Sequence, residues 1–180
     1  MTTVLDSFAI AAAVTWQWHD AANPLAPTVN GGSSGSSQSY TDGTGQANVV
    51  HVIAANRLTI AAGANAVLKL TPGAGQVTDL ENTNPITFSI VREIWICLNP
   101  MTTALSITIG GGSDGSGTNA FASFLGSAAS KVSVGNGSFF HTGRPDAIGF
   151  PVTANTADLL RIVNNDGSNP ATVDYCFVGE

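Results

Sequence analysis

The residues able to do chemistry are three histidines, two cysteines and twelve carboxylates. His19, His51 and His141 are far apart and lack the paired spacing of a metal site, so they read as strand or surface histidines. No Gly-x-Ser-x-Gly elbow occurs, and neither Cys97 nor Cys176 has a local catalytic signature. A glycosidase pair would have to come from Asp6, Asp20, Asp42, Asp79, Glu81, Glu93, Asp114, Asp146, Asp158, Asp166, Asp174 and Glu180. Most of these sit beside Gly or Asn, where an aspartate caps its own backbone. Asp-Gly recurs at Asp42, Asp114 and Asp166 without the several oxygens and terminal acidic ligand of a calcium loop. Gly110-Gly111-Gly112-Ser113 follows a strand, opens no helix and carries no lysine, unlike a phosphate loop. These patterns imply no catalytic residue, no metal and no cofactor. Trp16, Trp18, Trp95 and Tyr40 could stack on sugar rings if exposed, with core packing as their competing role.

The central scaffolding stretch is Phe88 to Leu98. Phe88, Ile90, Ile94, Ile96 and Leu98 share one face at period two, while Val91, Trp95 and Cys97 put apolar groups on the other, as in a strand covered on both sides. A helix of three turns is the alternative, but β-branched and aromatic residues dominate, and Asn99-Pro100 stops the run. Arg92 and Glu93 interrupt it on opposite faces. Either one of them pairs across the sheet or meets another subunit, or the two mark an edge bulge with solvated charges.

The cleanest alternation runs from Phe8 to Trp18, with Phe8, Ile10, Ala12, Val14, Trp16 and Trp18 on one face and small or polar groups on the other. Then come Asn23-Pro24-Leu25-Ala26-Pro27, a Gly/Ser tract from Gly31 to Ser37, and Thr41-Asp42-Gly43-Thr44-Gly45. This reads as a flexible segment ordered by a neighbouring chain or folded as an Ω-loop. Further strands are expected at Val49 to Ile60, Ala66 to Leu70, Leu105 to Ile109, Phe121 to Leu125, Phe150 to Thr153, Leu159 to Val163 and Thr172 to Val178, each bounded by Gly, Asn, Asp or Pro. Leu105, Ile107 and Ile109 alternate with polar residues, as do Val173, Tyr175 and Phe177. Asp166-Gly167 suggests a closing hairpin between the last two strands. Eight or nine such strands without an amphipathic helix describe an all-β fold: an antiparallel β-sandwich, jelly-roll-like, with an extended N-terminal arm or loop. Residues 1–48 form the strand and arm and 49–180 the sandwich, unless 1–180 is one continuous domain.

Only 10% of the 180 residues are charged while 43% are hydrophobic, and 20 are glycine. The surface is therefore polar but mostly uncharged, which suits packing against copies or neighbours because few charges need desolvating. It suits a secreted carbohydrate-binding sandwich equally. The net charge of -6 without a basic cluster argues against nucleic-acid and membrane partners. Ser7 to Val14 is apolar but lacks the basic flank and cleavage site of a signal peptide, and no run reaches a spanning length. The two cysteines lie in expected strands and read as buried free thiols, with a disulfide between adjacent strands as the alternative.

Leu68-Lys69-Leu70-Thr71, Ile86 to Ile94, Leu105 to Gly110, Asp158 to Asn165 and Val173 to Gly179 together resemble small β-rich structural proteins of tailed bacteriophages. The resemblance covers roughly the last two thirds of the chain and is one of strands and turns, so it transfers no site residues. It implies a non-enzymatic virion protein, assembled in the host cytoplasm, that decorates or cements the head. Its expected partners are itself, as a homo-oligomer of trimer size, and the major capsid or other virion proteins. Candidate inter-subunit residues are Gly31, Gly32, Ser33, Ser34, Gly35 and Tyr40. The alternative is a carbohydrate- or receptor-binding module using Trp16, Trp18 or Tyr40; a β-sandwich hydrolase is a residual possibility for which no nucleophile and base can be named.

Overall fold

The computed structural model describes the backbone of residues 7–18, 29–42 and 49–50 and, with their side chains, residues 52–78, 84–100 and 105–180. The described residues form twelve strands and no helix. In chain order these are β1 (Ser7–Trp18), β2 (Val29–Asp42), β3 (Val49–Val50), β4 (Val52–Ile60), β5 (Asn65–Lys69), β6 (Ile90–Leu98), β7 (Ser106–Gly110), β8 (Lys131–Gly135), β9 (Phe139–Gly143), β10 (Phe150–Pro151), β11 (Leu159–Asn164) and β12 (Ala171–Gly179).

Two antiparallel sheets make the body, as expected of a sandwich. In one, β4 pairs with β12, β12 with β6, and the far side of β6 takes β10 at Ile90 and Val91 and β9 from Glu93 to Cys97. The other runs β5-β11-β7-β8. Period-two patterning decides what faces inward. Ile94, Ile96 and Leu98 of β6, Val173 and Phe177 of β12, Ile107 and Ile109 of β7, and Leu160 and Ile162 of β11 are all wholly buried. Burying side chains of this size is worth about 1.5–3 kcal/mol each. Phe124 fills one region of the core with its ring against Phe121, Phe140 and Phe150, centroids 5.5, 5.7 and 6.1 Å away.

Several local expectations are corrected. Phe121 to Leu125 is not a strand: Leu125 N donates to Ala122 O at 2.8 Å, closing a turn, while Phe121 N bonds to Leu159 O. Its apolar residues pack into the core from within the long β7–β8 connection. Asp166-Gly167 does not close a hairpin, because β11 and β12 belong to different sheets. Asp166 instead accepts from Ser168 N and Asn169 N at 2.7 and 2.9 Å, shaping a crossover between the layers. Strands β8 and β9 fall in a Gly/Ser/Asn-rich stretch that carries no strong strand pattern, and both are placed by pairing with β7 and β6.

The Gly/Ser tract also differs from an unpaired loop. Its residues up to Asp42 belong to β2, which pairs along β1 from Ser7↔Thr41 to Trp18↔Val29 and joins β3 in parallel to make a third, small sheet. Backbone hydrogen bonding to a long partner strand does not depend on side-chain size, so a tract of Ser and Gly can pair. Gly43 to Gly45 lie outside the described residues.

Candidate functional site

Strand β6 is the organising element. Its partner on one side changes from β10 to β9 around Arg92, and on the other side the register with β12 slips between Val178 and Gly179, leaving Arg92 as the extra residue of a bulge. A bulge bends the strand and re-aims its side chain. Arg92 is completely buried. Its Nη2 pairs with the Glu180 carboxylate and its Nη1 bonds to the Asp146 carbonyl, while its own carbonyl accepts from Arg144 N at 2.8 Å. Thus the bulge is present, the charge is not solvated, and the ion pair spans the sheet.

One residue on, Glu93 is only 2% exposed, and its Oε2 lies 2.8 Å from Nε2 of the half-buried His141 on β9. Glu93, Trp95 and Cys97 lie on the outer face, where the register sets Trp95 between His141 of β9 and Cys176 of β12. Farther along, Arg57 of β4 makes a two-pronged ion pair with Asp174 of β12, at 2.6 and 2.8 Å. The Arg57 fork lowers the Asp174 pKa, and the carboxylate in turn raises that of the guanidinium.

The face therefore combines a half-buried indole, two free thiols, a carboxylate–imidazole pair and a carboxylate–guanidinium pair. It is not an activated thiol site. Two strand spacings, about 10 Å of backbone, separate His141 from Cys176, and burial, then the Glu93 charge, pushes the Cys176 thiol up to about 11. Burial and the Asp174 charge raise Cys97 as well. What the arrangement can do is present an aromatic plane between fixed hydrogen-bonding groups.

Other chemistry-bearing residues are accounted for locally. Asp114 accepts from Ser116 N and Oγ at 2.9 and 2.7 Å and from Thr118 Oγ1 at 2.6 Å, and Asp146 from Ile148 N and Gly149 N at 3.0 and 2.8 Å. Asp114, beside Gly115, is a backbone-capping aspartate of the kind expected from sequence; Asp146, between Pro145 and Ala147, caps its loop without that signal. Asp158 is the exception. Fully buried, it accepts from Thr71 Oγ1 and from Asn155 N, and its Oδ1 has no hydrogen-bond partner. Among the described residues no group of three or more His, Cys, Asp or Glu could hold a metal ion.

The candidates chosen from sequence lie on the β1/β2 pair. Gly32 is opposite Trp16, Ser33 opposite Thr15, Ser34 opposite Val14, Gly35 opposite Ala13, Tyr40 opposite Phe8, and Trp18 opposite Val29; Gly31 falls at the register slip between Trp16 and Gln17. The pairing thus unites the two candidate sets on one ribbon, with side chains outside the described residues, as are His19 and His51. Sequence reasoning named His141 and Asp174 without a partner and did not single out Arg57, because the His141–Glu93 and Arg57–Asp174 contacts depend on strand order. Comparison of the sequence with protein-family models and with curated proteins finds no match.

Proposed function

We propose that this chain is a non-enzymatic structural protein of a tailed-bacteriophage virion, a head decoration or cement protein acting as a homo-oligomer of trimer size. The observation that carries this reading is the strand order. Sheets ordered β9-β6-β12-β4 and β5-β11-β7-β8 have the order two interlocked Greek keys produce, which supports a jelly roll, the architecture of many viral capsid and lectin domains. Charge is disposed to match: Arg57, Arg92 and Arg144 are each paired with a carboxylate inside the chain, so little charge must be stripped of water at a contact. Phe139 and Ile148, 57% and 60% exposed, lie on β9 and in the β9–β10 loop, along the edge where a neighbour could seat them. The major capsid protein is the proposed partner, and the β1/β2 ribbon the proposed arm across neighbouring subunits. Many weak contacts on a symmetric shell add by avidity.

Light scattering of the purified chain, alone and with capsids of the encoding phage that lack it, tests the reading. A stable oligomer that co-sediments with capsids is expected. A monomer that ignores them overturns it.

A second reading, carbohydrate recognition, is favoured by Trp95 on the outer face between His141 and Cys176, with Arg57–Asp174 nearby. It predicts glycan-array binding that disappears in W95A.

A further inference from the structure

We propose that the outer surface of the β5-β11-β7-β8 sheet holds a binding site for a doubly charged tetrahedral oxyanion, phosphate or sulfate, formed by Arg161, Lys131 and the glycine loop 110–117. The register builds it. Gly110, at the end of β7, pairs with Lys131 of β8, and Ile109 pairs with Ile162 of β11, so Lys131 and Arg161 flank the point where β7 runs into the loop. Two of the loop's glycines, Gly111 and Gly115, lie against the cations. A Cβ on Gly111 would be 2.8 Å from Lys131 Cε; a Cβ on Gly115 would collide with Arg161 Nη1 and stand 3.8 Å from Lys131 Nζ. Gly111, Gly112 and Gly115 also have φ of 85°, 63° and 83°, where side chains are strained.

The two cationic ends thus approach one point on the loop, close enough to share a ligand. Like charges brought together repel unless an anion lies between them. Among the described residues neither side chain has an ion-pair partner, in contrast to Arg57, Arg92 and Arg144, and the buried Arg161 Nε donates to nothing. The loop's own carboxylate, Asp114, turns its oxygens to Ser116 and Thr118 instead. A guanidinium fork and an ammonium present donors from two directions, and their joint charge is matched by one dianion but not by one carboxylate.

Isothermal titration of the full chain with sodium phosphate and sodium sulfate, at an ionic strength held constant with chloride, tests this; sodium acetate is the parallel arm. Saturable one-site binding of phosphate and sulfate is expected, with acetate giving dilution heats only. Exposed Lys131 can be changed without disturbing the core, and K131Q should weaken binding roughly tenfold or more; R161Q should abolish it. Dilution heats alone with phosphate, unchanged affinity in K131Q, or acetate binding as tightly as phosphate would each overturn the proposal.

Discussion

Gly143 has no side chain because the Glu93 carboxylate occupies the space one would fill. The two are directly paired across β6 and β9, and a Cβ on Gly143 would collide with both carboxylate oxygens and come 2.5 Å from Cδ. The carboxylate meets His141 from this position. G143A should therefore force out a buried charge and destabilise the fold by about 1–3 kcal/mol. G135A, at a strand glycine where a Cβ would make only an ordinary contact, 4.0 Å from Ser138 Oγ, is the control and should be close to neutral. Urea denaturation of the two variants makes the comparison.

The Arg92–Glu180 pair should respond asymmetrically. Removing one partner leaves the other charge in a dry site, so E180A should destabilise by about 3–5 kcal/mol. The double variant R92M/E180A removes both charges and should be more stable than E180A. A double-mutant cycle from urea midpoints reads this directly, and additive losses would refute coupling.

Acid should weaken the fold through its aspartates. Hydrogen bonds from Thr118 and Ser116 hold Asp114 well below the ordinary carboxylate range; the Arg144 Nε bond and Gly149 N lower Asp146; Ser168 N and Asn169 N lower Asp166; Arg57 lowers Asp174. The folded chain binds these protons less readily than the unfolded chain. Their contribution is thus complete above the ordinary carboxylate pKa and is lost as pH falls through the lowered values. Urea midpoints should decline below about pH 4, and D174N should flatten that decline.

The thiols should differ in reactivity. Both are free, but Cys176 is more deeply held and its thiol is raised to about 11, with Glu93 opposing the thiolate. At pH 8 a disulfide reagent should label Cys97 first and Cys176 only slowly or after denaturation. Mass spectrometry of digested, timed samples distinguishes them, and equal labelling rates would contradict the burial described here.

Period-two patterning located β7 and β12, because a strand buried on one face must alternate whatever its neighbours are, and turn residues bounded β11; it located β6 too, although the bulge at Arg92 puts Val91 rather than Ile90 in the core. It also identified Arg92 and Glu93 as the places where that pattern breaks, and the backbone-capping role of Asp114 and Asp166, which is local in sequence. Strand order was not legible: Asp166-Gly167 has hairpin chemistry in a loop that crosses between sheets, because hydrogen-bond pairing depends on which edges are free. The same holds for side chains that meet only across strands. Arg57 and Asp174 are 117 residues apart, and Lys131 reaches the Gly110 loop only because β8 lies beside β7. Local chemistry set the strands and turns. Long-range pairing, decided when the two sheets close over a shared core, determined which charged groups became neighbours.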